Sequence, residues 1–292
     1  MKNKHFILTA IAFGLLTSLS QAVGIIGIGT DNSLYQFDSA TPGVVTLIGT
    51  AGGAANLVDI DIHGANGLLY GVTGTGSCFT VDTLSGNQSL VTTPLTALSG
   101  LTAIDFNPLA DRIRLVGTAN ANARITPDFQ TGPNALQQSG TVNNDTSFSL
   151  FQSGGMIARS GATVLGAGYT NPVNNPATTV LYTLASDGFL NMHTTSSGAL
   201  AGSFDKGVAV GTAGLDFTPV GASFDISNAS QGGFGYAFDG TDLRQIDLAT
   251  GTSISLGPVG VSIRSLAVIP ESSNLLLGAV GILGLLRRTR RA

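Results

Sequence analysis

The sequence is poor in the residues that build reactive centres. One of its 292 residues is cysteine, none is tryptophan, and Glu271 is the only glutamate. A single cysteine excludes an intramolecular disulfide and a thiolate metal cluster. Cys78 stands alone in an apolar run, so we expect it to be a small buried side chain. Without tryptophan, the broad aromatic platforms typical of carbohydrate-binding faces would have to be built from 5 Tyr and 14 Phe.

Charged residues are also scarce, at 10% of the chain, and their distribution is uneven. Two lysines begin the chain and four arginines end it. Between these ends, seven Lys and Arg side chains stand against 16 Asp, which leaves a net charge of about −9. This acidic body has no basic patch, so nucleic-acid binding is not expected.

The motifs of common enzyme classes are missing. The sequence contains neither the Gly-x-Ser-x-Gly of serine hydrolases nor the His-Glu-x-x-His of zinc proteases. Apart from His5 near the N-terminus, His63 and His193 are the only imidazole bases. Carboxylate chemistry would have to use Asp side chains alone. The sequence therefore names no catalytic residue and no cofactor, and it favours a non-enzymatic role without deciding the matter.

Residues 1–22 have the features of a secretory signal peptide. Two lysines precede an apolar run over residues 6–16, and Ser20-Gln21-Ala22 places small residues at both cleavage-determining positions. Cleavage after Ala22 would leave Val23 as the first mature residue. An uncleaved transmembrane helix is the weaker alternative, because the apolar run is shorter than the roughly 20 residues that span a bilayer.

Residues 270–292 form a second targeting segment. Pro270-Glu271 is followed by an uncharged apolar run over residues 275–286 and by an arginine cluster that begins with Arg287 and Arg288. The cluster is expected to stay cytoplasmic, which places the body across the membrane. This order resembles the PEP-CTERM sorting signal. The resemblance implies transient membrane insertion of a short C-terminal helix, processing by an exosortase-type membrane protease, and release or attachment at the cell surface. An unprocessed tail anchor in the periplasm is the alternative.

Between these ends, residues 23–269 repeat a pattern of short strands. The clearest copy covers residues 103–132 and has three apolar segments separated by Asn, Pro and Gly turn residues. Aligned copies match Ile60-Asp61-Ile62 with Ile104-Asp105-Phe106 and Leu215-Asp216-Phe217. The period of about 45 to 60 residues is typical of four-stranded propeller blades.

The order of the strands predicts an all-β propeller whose ends meet. The first unit lacks an opening strand, and residues 263–268 at the end of the body can supply it. The fourth unit is expected to open at residues 156–158 and the fifth at residues 214–217. We predict about five four-stranded blades, with six as the alternative and a pair of β-sandwiches as the second fold. A signal helix and a short hydrophobic helix are expected to flank this domain.

Two stretches of the body resemble a known family. DFNPLADRIRLVG at residues 105–117 and NARITPDFQTG at residues 122–132 are similar to a secreted bacterial family, domain of unknown function 4394. GAGYTN at residues 166–171 and LRQIDLATGTSISLG at residues 243–257 extend the resemblance over most of the body. It implies a repeat fold and export. That family has no established activity, so the resemblance supplies no catalytic residue.

The sharpest group of polar residues is Asp59-Ile60-Asp61-Ile62-His63. Strand alternation places Asp59, Asp61 and His63 on one face, where two or three of them could share a metal ion. The favoured alternative is a structural hydrogen bond within each blade, because Asp recurs at the position of Asp61 in other units whereas His63 does not recur.

Other polar groups have ordinary explanations. Asp31-Asn32-Ser33 and Asn143-Asn144-Asp145 cluster oxygen donors but lack the spacing of known calcium loops, and Asx residues are common in turns. Arg112 and Arg114 share one face of a predicted strand and could clamp an anionic sugar or a carboxylate. Pairing of these arginines with Asp105 or Asp111 is the favoured alternative.

These observations lead to two functional hypotheses. The first is an exported, non-enzymatic propeller that acts at the cell surface or in the extracellular matrix as a structural or ligand-binding module, with exopolysaccharide or surface proteins as partners. The second is an extracellular hydrolase or lyase that acts on polysaccharide through Asp and His residues at the propeller channel.

Overall fold

A computed structural model describes residues 22–50, 55–127, 138–194, 204–212 and 223–270. The described residues form five small sheets, which we number as blades in chain order. Blade 1 contains β1 (Gly24–Gly29), β2 (Ser33–Asp38), β3 (Thr41–Thr50) and the last strand, β21 (Ile263–Val268). Blade 2 contains β4 (Leu57–Ile62), β5 (Leu69–Thr73), β6 (Cys78–Val81) and β7 (Gln88–Thr92).

The remaining blades follow the same plan. Blade 3 contains β8 (Leu101–Asn107), β9 (Arg112–Gly117), β10 (Ala121–Ile125) and β11 (Val142–Asn144). Blade 4 contains β12 (Ser149–Phe151), β13 (Val164–Tyr169), β14 (Leu181–Ala185), β15 (Phe189–Thr194) and β16 (Lys206–Thr212). Blade 5 contains β17 (Phe224–Ile226), β18 (Gly235–Phe238), β19 (Asp242–Ile246) and β20 (Ser253–Pro258).

The five sheets form a five-bladed β-propeller, as the repeat predicts. The first strand of each meander lies innermost, and the inner strands contact one another around the ring in the order β21, β4, β8, β13 and β17. The predicted closure is also confirmed, because β21 pairs antiparallel with β1 and aligns Ile25 with Val268. Both ends of the body are therefore held in blade 1.

The hydrophobic core is divided into five clusters, one at each interface between neighbouring blades. At the interface of blades 2 and 3, Tyr70 and Cys78 pack with Ile104 and Phe106. The burial predicted for Cys78 is confirmed, since this side chain is fully buried. Because every blade covers its neighbours, burial of apolar surface stabilises the ring as a whole.

Two predicted blade openings differ from the structure. Residues 156–158 form only an isolated bridge through Ala158, and blade 4 opens instead with β13, whose six residues are nearly all buried. Its outer edge is built by β16 and by the parallel strand β12, which the sequence pattern did not reveal. Blade 5 opens with β17, whereas the predicted opening at residues 214–217 lies outside the described residues.

No helix among the described residues is long and apolar enough to cross a membrane. The segments for which the sequence predicts a signal helix and a C-terminal helix lie outside the described residues.

Candidate functional site

Acidic side chains on the inner strands bond neighbouring blades to one another. Asp59 Oδ2 accepts a hydrogen bond from the backbone N–H of Ile104 in the next blade (2.8 Å), and Asp61 Oδ2 accepts one from Phe106 (2.7 Å). The same kind of contact recurs around the ring, from Tyr169 N–H to Asp105 (3.1 Å), from Val268 N–H to Asp225 (2.6 Å), and from Ile60 N–H to the Ser265 hydroxyl (2.9 Å). The predicted hydrogen bond within the blade exists, because Asp61 Oδ1 accepts from Ile62 N–H of its own strand (2.6 Å), and the second oxygen of the same carboxylate joins the next blade.

Three of these carboxylates meet at the centre of the ring. Asp61, Asp105 and Asp225 each place a carboxylate oxygen within 4.8 Å of the other two, and all three side chains are buried. We call them the axial carboxylates. Burial raises the pKa of Asp225 to about 7, and it raises the pKa of Asp61 and Asp105 well above the usual value, with repulsion among the carboxylates as the next cause. Near neutral pH the group must hold protons or a cation.

The sequence predicted part of this group. Asp61 belongs to it, and Asp59 lies on the same strand, where it accepts hydrogen bonds from Ile104 N–H and from the Ser265 hydroxyl. The residues that gather with Asp61 are Asp105 and Asp225 rather than His63. Asp225 was missed, although Phe224-Asp225-Ile226 has the same apolar–Asp–apolar pattern as the other inner strands; Asp216, chosen instead, lies outside the described residues.

A cavity of about 370 Å³ lies at the carboxyl ends of the inner strands. We call it the pocket. Three blades line it, through residues 62–65 after β4, through Phe106, Pro108, Leu109 and Asp111 around the end of β8, and through residues 172–175 after β13. Its volume falls within the range of roughly 300–1,000 Å³ that is usual for ligand sites.

His63 and Asp111 form the ionisable part of the pocket wall. His63 Nε2 lies 2.7 Å from Asp111 Oδ1, which links the β4–β5 loop of blade 2 to the β8–β9 turn of blade 3. The imidazole ring packs against Phe106, with centroids 4.7 Å apart, and is buried. Asn107 holds the turn that presents Asp111, because its side-chain oxygen accepts hydrogen bonds from Leu109 N–H and Ala110 N–H.

The loops around the pocket are packed closely. A Cβ atom on Gly64 would lie 2.6 Å from the carbonyl oxygen of Pro172, so only glycine lets the loops of blades 2 and 4 approach this far. On the blade 4 side, Asn175 has a φ of 48°, a left-handed conformation that asparagine tolerates well. The shape of the pocket is therefore fixed by backbone contacts.

Other sequence-predicted groups serve the fold. His193 is buried, its Nε2 bonds the Thr183 hydroxyl (2.7 Å), and burial lowers its pKa to about 3. At neutral pH this histidine is uncharged. The Asp31 carboxylate accepts hydrogen bonds from Ser33 N–H (3.0 Å) and from the Tyr35 hydroxyl (2.8 Å), as expected of an Asx turn.

The arginine pair is also structural, but its partners differ from those predicted. Arg114 is fully buried and pairs with Asp145 at 2.5 Å instead of with Asp105 or Asp111. Asp145 also pairs with Arg124 at 2.7 Å, so this carboxylate lies between two guanidinium groups. Arg112 donates to Asn143 Oδ1 (2.7 Å). Two of the residues proposed for a calcium loop, Asn143 and Asp145, are thus bonded to arginines.

The fold and the pocket define a five-bladed β-propeller with a small polar site at one end of the ring. A model of the protein family described as "Domain of unknown function (DUF4394)" matches residues 33–267, so the chain belongs to this family, as its motifs predicted. No curated protein matches the sequence. Among solved structures, the fold is similar to a gluconolactonase from Xanthomonas campestris at 12% identity and a TM-score of 0.46, covering 84% of this chain and 80% of that one. A likeness this remote says nothing about activity.

Proposed function

We propose that the protein is an exported, non-enzymatic β-propeller that is sorted to the cell surface and binds a small extracellular molecule in the pocket. The observation that carries this proposal is a concave site built by three blades on the same face of the ring as both ends of the body. The secretory signal at residues 1–22 and the PEP-CTERM-like segment at residues 270–292 support export and surface sorting.

The direction of the inner strands puts the pocket and the two ends of the described body, near Val23 and Ile269, on one face. Ser223 accepts a hydrogen bond from Leu266 N–H in the next blade, and Asp225 accepts one from Val268 N–H. Because both residue numbers rise together, the two inner strands run in the same direction. Asp59 and Asp61 contact blade 3 in the same register. The carboxyl end of β21 therefore lies on the pocket face, where Ile269 N–H donates to Gly24 O (2.8 Å).

The packed body begins and ends where processing is proposed. Ala22 is exposed, whereas Val23 is fully buried and its N–H donates to the Ser39 hydroxyl (2.8 Å). Cleavage after Ala22 would leave in place every residue that the structure describes as buried. Cutting by an exosortase-type protease near Pro270 would likewise leave β21 intact. A surface attachment through this end would turn the pocket towards the attached layer, where exopolysaccharide and surface proteins are the expected partners.

Most acidic and basic side chains of the inner strands are buried or hydrogen-bonded within the fold, which supports a non-enzymatic role. The axial carboxylates bond to backbone N–H groups of the next blade, His193 is buried and neutral, and Cys78 is buried in the interface of blades 2 and 3. Catalytic acids and bases instead need to reach a reacting atom.

Intact mass spectrometry of the protein from its native host tests the sorting proposal. We expect a species that starts near Val23 and ends near Pro270, recovered from the surface or the medium. A full-length chain found only in the inner membrane would contradict sorting and would indicate a tethered periplasmic domain.

One observation favours a second candidate, an extracellular hydrolase or lyase. The His63–Asp111 pair lies in the pocket wall, and such a pair is suited to general acid–base catalysis. Release of reducing ends from host polysaccharide, abolished in Asp111→Asn and retained in Asp187→Asn, would replace the non-enzymatic proposal with this one.

A further inference from the structure

We infer that the pocket takes an uncharged, polyhydroxylated ligand of about the size of one sugar ring, either a free monosaccharide or the terminal unit of a polysaccharide. This inference rests on the proposal that the pocket is the binding site. It follows from the charge, the polar groups and the apolar walls of the pocket.

The charge of the pocket wall disfavours ionic ligands. No Lys or Arg is among the described residues that line it, and its one carboxylate is Asp111. Arg112, the next residue, donates to Asn143 Oδ1. An anionic ligand would therefore meet the Asp111 carboxylate and no Lys or Arg side chain in the described wall, which is unfavourable. A cationic ligand would compete with His63 Nε2, which lies 2.7 Å from Asp111 Oδ1.

Two side-chain amides in the pocket wall are available to bond a ligand. Asn174 and Asn175 line the pocket, both are exposed, and neither side chain is hydrogen-bonded to another residue in the described ranges. Each amide offers donors and an acceptor side by side. A hydroxyl group also donates and accepts, so vicinal hydroxyls match a pair of neighbouring amides better than a carboxylate, phosphate or ammonium group does.

The rest of the wall is apolar and the volume is small. Pro108 and Leu109 of blade 3 and Pro172 and Val173 of blade 4 provide hydrocarbon surface, and the ring of Phe106 adds to it. The C–H faces of a sugar ring pack on such surface while its hydroxyls bond elsewhere. At about 370 Å³ the pocket is near the lower end of usual ligand sites, which favours one ring over an extended chain.

Ligand-observed NMR and calorimetry on the purified full chain test this inference with matched probes. Glucose, galactose and mannose are each compared with the corresponding uronic acid and amino sugar, which differ in charge at one carbon. We expect at least one neutral sugar to bind about tenfold or more tightly than its two charged partners. Oligosaccharides ending in that sugar distinguish the two sources: tighter binding of the oligosaccharide indicates a polysaccharide end, and equal or weaker binding indicates a free sugar.

Variants locate the binding in the pocket. Asn174→Ala and Asn175→Gly each remove an amide, and glycine adopts the positive φ of position 175 freely. Each should weaken binding about five- to tenfold, as expected for the loss of one hydrogen bond. Asn87→Ala, on an exposed turn of blade 2, is the matched control and should bind normally.

The outcomes separate this inference from the proposed function. Tighter binding of a uronate or an amino sugar, lost in Asn174→Ala, would overturn the neutral-sugar inference and leave the pocket as the binding site. Neutral-sugar binding that is unchanged in both pocket variants would overturn the assignment of the site. If none of the nine sugars binds, the inference is wrong, while mass spectrometry still decides export and sorting independently.

Discussion

The axial carboxylates make the stability of the propeller depend on pH. Their pKa values are raised in the folded protein, to about 7 for Asp225 and well above the usual 3.8 for Asp61 and Asp105. The unfolded chain loses these protons near pH 4, whereas the folded chain keeps them to a higher pH, which for Asp225 is about 7. The folded state thus binds more protons in this window, so the free energy of unfolding falls as the pH rises.

The substitution Asp105→Asn removes one of these titrations with little change in shape. An amide oxygen can still accept the hydrogen bond from Tyr169 N–H, and the amide N–H₂ can donate to a neighbouring carboxylate. Each extra proton held by the folded state lowers the free energy of unfolding by about 1.4 kcal/mol per pH unit. From pH 4.5 to 7.5 the variant should therefore gain stability relative to the wild type, by at most about 1.4 kcal/mol for each pH unit over which folded Asp105 keeps its proton.

Urea unfolding followed by far-ultraviolet circular dichroism measures this difference, because the chain has no tryptophan for fluorescence. Measurements at four pH values between 4.5 and 7.5 contain EDTA, so that no divalent cation replaces the protons. Asp82→Asn is the control. The backbone N–H groups of Leu84 and Ser85 lower the pKa of this exposed carboxyl, so its titration falls below the window. Parallel curves for the wild type and Asp105→Asn would refute the reasoning.

Two further substitutions test the close approach of loops at the pocket and the buried ion pair of Arg114. Gly64→Ala should lower the free energy of unfolding by about 1–3 kcal/mol and weaken ligand binding, because its Cβ would overlap the carbonyl of Pro172. Gly74→Ala is the control and should behave as wild type, because a Cβ at this position makes only ordinary contacts. Equal stability of the two variants would contradict the close approach of the loops. Arg114→Leu should lower the free energy of unfolding by about 3–5 kcal/mol, because it leaves the buried carboxylate of Asp145 undercompensated. Arg244→Leu breaks a partly exposed ion pair and should lower it by about 1 kcal/mol or less. Thermal and urea unfolding of the two variants measures this difference, and similar losses would show that burial of the ion pair is unimportant.

The errors in the predicted blades have a local cause. Residues 214–217 and β17 both carry an apolar–Asp–apolar triplet, and alternation alone cannot choose between two such runs only a few residues apart. Residues 156–158 are apolar enough for a strand, but Met156 and Ile157 are exposed and the inner position belongs to β13, whose Gly166 and Gly168 give it little apolar periodicity. Blade 4 is thus the unit that resembles the repeat least.

The candidate site was predictable only in part. The recurrence of Asp61 as Asp105 pointed to a shared structural role, and the hydrogen bonds to Phe106 and Tyr169 show that role. Nothing in the sequence joins His63 to Asp111, which are 48 residues apart and belong to different blades. Their contact depends on where two loops end, and turn residues do not encode that distance.

The sequence by itself predicted an all-β propeller of about five blades, with six left open, and the closure of the ring through residues 263–268, although it misplaced the opening strand of blade 4. These features follow from local alternation and turn residues, which act within a few positions of the chain. Only the tertiary structure decided which carboxylates meet on the axis and which loops enclose the pocket. Ring geometry brings together residues from different blades, and burial then sets their protonation, so neither property exists until the five blades have closed.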